Sequence, residues 1–177
     1  MVDCLSGWSH VREEVFVRAG LKHMDATLRF TVNGQVKSIT CDPSRSLLDV
    51  LREEFHLTGA KYGCGEGQCR ACTVLLNGKS VAACLTPISD ADKHTILTIE
   101  GLSNGKDLHP VQEAFLAESA FQCGYCTAGM IMEVVGVLKE KAAATEGEIM
   151  AQLRKHLCRC CTYPRISNAV RASLTKR

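Results

Sequence analysis

The chain has 177 residues, with 21 Lys and Arg against 19 Asp and Glu and eleven cysteines. The basic residues are scattered rather than gathered into a stripe, which argues against a nucleic-acid partner, and an odd number of closely spaced cysteines argues against an extracellular disulfide framework. The most apolar stretch, Met130 to Leu138, is interrupted by Glu133 and falls far short of the ~20 residues of a membrane span.

Residues 1–23 include Arg12, Glu13, Glu14, Arg18 and Lys22 and lack the unbroken apolar core and small-residue cleavage site of a secretory leader. We therefore expect a soluble, cytoplasmic protein, with residues 1–23 an N-terminal extension of open role and Met24 a candidate start.

From Thr27 the run Thr-Leu-Arg-Phe-Thr-Val alternates with the two-residue period of a strand. Asn33-Gly34 signals a tight hairpin, and Gln35 to Thr40 returns as its second strand. Ser44 or Ser46 can cap a helix reaching about Phe55, because Leu47, Val50 and Leu51 form one apolar face. Gly59 to Cys72 has neither period and reads as a glycine-punctuated loop. A second hairpin, Thr73 to Leu76 and Ser80 to Leu85, turns through Asn77-Gly78, and a strand from Thr95 to Ile99 closes this half.

Beyond Gly101 to Gly105 the pattern becomes helical. Val111, Ala114, Phe115 and Glu118 mark a first helix, Ile131, Val134, Val135 and Leu138 a second, and Ile149, Leu153 and Leu157 a third. Pro164 suits the first turn of a fourth, with Ile166, Ala169 and Val170 facing inward. The expected fold is α+β, a small strand-rich domain over residues 24–102 followed by a four-helix bundle over 103–177. At this size a hydrophobic core alone supplies only ~3–5 kcal/mol, and a metal staple in each half would meet the shortfall.

Cys64-Gly-Glu-Gly-Gln-Cys69-Arg-Ala-Cys72, with Cys84 as a distant fourth ligand, has the C-x4-C-x2-C spacing of a plant-type [2Fe–2S] centre. Three thiolates wrap both irons from one loop, and Gly63, Gly65 and Gly67 let the backbone turn tightly and bring N–H groups toward sulfur. Structural zinc more often uses paired C-x2-C knuckles around one ion. The second constellation, Cys123-Gly-Tyr-Cys126 with Cys158-Arg-Cys160, is compatible by spacing alone with zinc, a redox dithiol or a cluster.

Three segments together, Tyr62 to Cys72, Phe121-Gln-Cys-Gly-Tyr-Cys-Thr127 with Gly129-Met130, and Leu157-Cys-Arg-Cys160, resemble the iron–sulfur subunits and domains of the xanthine oxidase family of molybdenum hydroxylases in order and separation. The resemblance runs from Thr27 to the C-terminus and implies a β-grasp, plant-type ferredoxin domain and a helical domain, each with one [2Fe–2S] cluster. It implies a molybdopterin-binding large subunit as partner, with Gln122 contacting the pterin and Cys160 the ligand nearest to it. An FAD-binding medium subunit or a cytochrome would then accept the electrons. Thr162-Tyr-Pro-Arg-Ile166 looks like the subset that discharges to a cytochrome without a flavin subunit.

Ala128 stands where the family usually has proline, Lys155-His156 replace a common Gly-Asn, and Cys161 has no counterpart. We assign Cys160 by the C-x-C match and read Cys161 as a bystander, Cys4 and Cys41 as buried or incidental thiols, and His56, His109 and His156 as helix-end or surface residues. No nucleophile–base pair, phosphate loop or dinucleotide fingerprint is present, so the expected role is electron transfer, with substrate chemistry in another subunit. The rival readings are a stand-alone ferredoxin-like carrier and a zinc-stabilised binding module.

Overall fold

A computed structural model describes residues 24–103, 105 and 107–175; the N-terminal extension and Cys4 lie outside the described residues. Alternation along β1 (Ala26–Val32) buries Leu28, Phe30 and Val32 on one face. Asn33 and Gly34 take φ of 50° and 80°, the type I′ geometry that favours Asn-Gly, and lead into β2 (Gln35–Cys41), antiparallel to β1. Asn77 and Gly78 repeat this turn at φ of 50° and 84°, between β3 (Thr73–Leu76) and β4 (Lys79–Ala82). β5 (Thr95–Leu97) lies parallel to β1 and antiparallel to β3, which gives a five-stranded mixed sheet in the order β2-β1-β5-β3-β4.

Ser46, not Ser44, is the helix cap: its hydroxyl accepts the Asp49 N–H at 3.1 Å. The expected single helix to Phe55 is instead one turn, α1 (Leu47–Asp49), that widens into a π-helical turn over Val50–Glu54. Leu47, Leu48, Val50 and Leu51 are all fully buried, a broader apolar face than a regular turn presents to one side.

β4 stops at Ala82 rather than Leu85 because Ala83 turns away with its side chain in the core, and Leu85 is 61% exposed. β5 stops at Leu97 because Ile99 opens a 3-10 turn, Ile99–Gly101.

Four helices follow, α2 (Pro110–Ala117), α3 (Thr127–Glu140), α4 (Glu146–Leu153) and α5 (Tyr163–Thr175). Pro110 occupies the first turn of α2 and Thr145 caps α4 in a reciprocal box with Glu148. Phe115, Met130, Val134, Ile149, Ile166 and Val170 form their shared core. Leu157, expected on the apolar face of the third helix, is 60% exposed. The helix ends at Leu153, where the His156 N–H turns back onto the Leu153 carbonyl at 2.9 Å.

The two halves meet along β3 and α3. Val74 enters the core under the sheet, while its neighbour Leu75 belongs to the helical core, so β3 is buried on both faces. Helix α3 lies against the strands closely enough that a Cβ on Gly129 would stand 2.3 Å from the Arg70 carbonyl oxygen, and one on Gly136 2.2 Å from Ser80 Oγ. Among the described residues no helix is long and apolar enough to cross a membrane.

Candidate metal centres

The loop carrying Cys64, Cys69 and Cys72 spans the gap between α1 and β3 and is anchored at both ends. Arg52 Nη1 donates to the carbonyls of Thr58 and Ala60 at 3.0 and 2.7 Å, and the Lys61 N–H bonds to the Ala71 carbonyl at 3.1 Å. Gly65 and Gly67 have φ of 73° and 68°, open to glycine at little cost. A Cβ on Gly63 would stand 2.7 Å from Cys69 Sγ, so a larger residue there would displace the thiol.

Main-chain N–H groups aim at sulfur throughout this loop: Cys69 N and Glu66 N donate to Cys64 Sγ at 3.3 and 3.4 Å, and Cys64 N to Cys69 Sγ at 3.4 Å. The Cys69 and Glu66 donors draw the Cys64 thiol down to about 7. Burial pushes Cys72, 1% exposed, up to about 12, and the Cys84 thiol lies against it. Cys84 reaches that place because the Ala83 N–H is hydrogen-bonded to the Cys72 carbonyl at 3.4 Å.

The second group is assembled from two segments. Cys126 is the residue from which α3 starts, and Gly124 takes φ of 76° in the turn before it. An anionic sulfur at this position faces the positive end of a 14-residue helix. Cys158 and Cys160 lie between α4 and α5. The Cys158 N–H donates to Tyr163 Oη at 2.8 Å, and Tyr163 Oη donates onward to the His156 carbonyl at 3.2 Å.

The thiols meet pairwise, Cys123 with Cys160 and Cys126 with Cys158. Burial pushes Cys126 up to about 12. Burial also acts to raise Cys158, but hydrogen bonds from Thr162, Cys126 and Cys160 together lower the thiol. The exposed Cys123 is lowered by the Tyr125 N–H.

Each of the eight predicted cysteines thus lies against another in its own set of four. Among the described residues no three His, Cys, Asp or Glu side chains converge as one metal ion would require. Two pairs of thiolates in each set would suit a binuclear iron–sulfur cluster held by four cysteines. The fit extends to the donors: the Thr127 hydroxyl, adjacent in sequence to Cys126, is buried without a partner, the kind of unmet donor that a dianionic cluster satisfies.

The two groups are joined directly. The Leu157 N–H bonds to the Cys69 carbonyl at 3.2 Å, and the Tyr125 hydroxyl donates to the Tyr62 carbonyl. A largely apolar crevice of about 270 Å³ between them is lined by Cys64, Cys69, Cys123, Tyr125, Cys126 and Leu157. Gln122 is exposed beside Cys123.

Cys161 is exposed at φ of 58° and donates to the Arg159 carbonyl at 3.8 Å; Cys41 is buried. His56 is exposed and His109 caps α2, as expected. His156 differs from expectation, being 3% exposed with its Nε2 3.2 Å from the carboxylate of Glu133, itself buried at 8%. A polar residue interrupting an apolar helix face was the available sign, since a buried carboxylate requires a partner.

Comparison with known proteins agrees with this geometry. The model of the 2Fe-2S iron-sulfur cluster binding domain matches residues 30–98 and that of the [2Fe-2S] binding domain residues 98–171. The nicotinate dehydrogenase small FeS subunit of Eubacterium barkeri is 41% identical over 150 residues, 85% of this chain and 96% of that one. Isoquinoline 1-oxidoreductase subunit alpha of Brevundimonas diminuta is 42% identical over 144 residues, covering 81% and 94%.

Among solved structures, quinoline 2-oxidoreductase from Pseudomonas putida 86 matches with a TM-score of 0.80 and 36% identity over 86% of this chain and 95% of that one. Aldehyde oxidoreductase from Desulfovibrio gigas matches with a TM-score of 0.80 and 37% identity over 85% of this chain but 17% of that one, so there the similar part is one segment of a longer polypeptide. With both cluster-domain models matched in tandem and small subunits of this length aligned nearly end to end, the chain belongs to the xanthine oxidase family of molybdenum hydroxylases, as the non-catalytic iron–sulfur subunit of an oxidoreductase complex.

Proposed function

We propose that Cys64, Cys69, Cys72 and Cys84 hold one [2Fe–2S] cluster and Cys123, Cys126, Cys158 and Cys160 the other, and that the chain relays single electrons from the molybdopterin site of a large subunit to a flavin subunit or cytochrome. The observation that carries this reading is the gathering of eight cysteines into two sets of four on loops hydrogen-bonded to each other. When bound, each cluster takes up and gives back one electron.

The chain's own residues do the rest. Glycine-rich backbone supplies N–H donors to Cys64 and Cys69, the start of α3 faces Cys126, and an apolar crevice lies between the two sets. Gln122, exposed beside Cys123, is placed for a partner surface and is our candidate for the pterin contact.

We take residues 24–102 as the ferredoxin-type domain of β-grasp form and 103–177 as a four-helix domain, and we place the complex in the cytoplasm, where a reducing environment keeps thiols available as ligands. The native complex tests all of this at once. About four irons and four acid-labile sulfides per chain, with two distinct paramagnetic centres after reduction, are expected. Stoichiometric zinc in a colourless protein refutes the reading, and assays for molybdenum, flavin and haem in the co-purified complex identify the electron donor and acceptor.

A further inference from the structure

We infer that Thr162 is a positioning residue that sets the reduction potential of the helical-domain cluster through a hydrogen bond to Cys158; this rests on the ligand set proposed above. Thr162 Oγ1 lies 3.2 Å from Cys158 Sγ, and the two residues are both 4% exposed. In the free thiol either atom could carry the shared proton. A metal-bound thiolate has none, so the hydroxyl must be the donor.

The sign of the effect follows. Reduction adds a negative charge that spreads onto the ligand sulfurs, and an O–H donor stabilises the reduced form more than the oxidised form. Burial strengthens this, because no water competes for the sulfur. The Thr162 hydroxyl therefore raises the potential, and removing it lowers the potential.

Two further features make the contact specific and its removal clean. In the ferredoxin-type loop Cys64 and Cys69 receive their hydrogen bonds from main-chain N–H groups, which side-chain replacement leaves in place. The backbone of Cys158 is held separately from Thr162, by Tyr163 Oη on its N–H at 2.8 Å and by the Cys161 N–H on its carbonyl at 3.2 Å. A Thr162→Val variant keeps the shape of the side chain, the position of the ligand and the main-chain hydrogen bond of residue 162 to Cys158, while losing the hydroxyl donor.

The test is a redox titration of the native complex followed by electron paramagnetic resonance, which reads each cluster separately. In Thr162→Val the reduced-to-oxidised ratio of the helical-domain cluster at a fixed potential is expected to fall about tenfold, equivalent to about 59 mV for one electron. The ferredoxin-type cluster is expected to stay unchanged, and Thr162→Ser to restore the ratio. An unshifted ratio, an equal shift in both clusters, or no recovery in Thr162→Ser overturns the inference.

The wild-type complex provides a check that needs no variant: pulsed resonance in H2O and D2O is expected to show an exchangeable proton strongly coupled to the reduced helical-domain cluster. Its absence overturns the inference even if Thr162→Val loses iron. Two intact clusters with no Thr162 effect refute this inference alone, whereas a wild-type complex with a single cluster refutes the ligand assignment beneath it as well.

Discussion

The two cysteine sets solve the same problem by different means. In the N-terminal half three of the four cysteines come from nine consecutive residues, and the groups that stabilise sulfur are main-chain N–H donors made available by glycines at positive φ. In the C-terminal half the four cysteines come from two segments about thirty residues apart, and main-chain donors such as the Tyr125 N–H are joined by the side-chain hydroxyl of Thr162 at the Cys158 sulfur and that of Tyr163 at the Cys158 backbone. A local loop encodes its site in spacing. A composite site encodes it in packing and is therefore open to side-chain adjustment.

The largest effect should come from removing one ligand from each set. Cys72→Ala takes away a buried thiol and Cys126→Ala a half-buried one. Each variant is expected to lose about two of about four irons and one of two paramagnetic signals, leaving the other cluster in place. Iron analysis with spin quantification checks this. If either single variant abolishes both signals, the halves do not assemble independently and the contrast drawn above is wrong.

That contrast also explains what was legible in the sequence. Asn33-Gly34 and Asn77-Gly78 fixed both hairpins because adjacent φ values of 50° with 80° and 50° with 84° suit few other pairs. Cys64, Cys69 and Cys72 pointed to a cluster from spacing alone, because three cysteines within nine residues are confined to one loop. Spacing alone left Cys123, Cys126, Cys158 and Cys160 open between zinc, dithiol and cluster, and it was the family resemblance that pointed to a cluster. Leu157 kept helical spacing with Leu153 but lies outside α4, because its N–H is committed to the Cys69 carbonyl at 3.2 Å. His156 and Glu133 are 23 residues apart and became a buried pair only through folding.

The seam between the halves gives the next largest effect. A Cβ at Gly129 would overlap the Arg70 carbonyl at 2.3 Å, and Arg70 sits inside the ferredoxin-type loop, so Gly129→Ala must move either α3 or that loop. Overpacking of this kind costs about 1–3 kcal/mol. Gly147→Ala is the control, since nothing lies within 4 Å of its Cβ and Gly to Ala within a helix gains ~0.5–1 kcal/mol. Thermal unfolding should move in opposite directions for the two variants, and Gly129→Ala should broaden the signals of both clusters. A change confined to the helical-domain signal would mean that α3 yields and the loop does not.

The smallest effect concerns the His109 cap of α2. Nδ1 of His109 accepts the Val111 N–H at 3.2 Å, which requires that nitrogen to be unprotonated. Burial, and then the charge of Lys139 on α3, hold the His109 pKa below the ordinary imidazole value of 6.5. Because the folded value is depressed, the stabilisation is fully present above pH 6.5 and is lost as pH falls from there through the folded pKa. His109→Asn caps the helix through a side chain that does not titrate, so it should keep most of the ~1 kcal/mol that a cap contributes while flattening the pH dependence. The informative quantity is the wild-type minus variant difference in melting temperature, followed from about pH 8 to about pH 5.5. It should grow steadily more unfavourable to the wild type toward acid, and a difference independent of pH would show that the Val111 N–H does not depend on the imidazole.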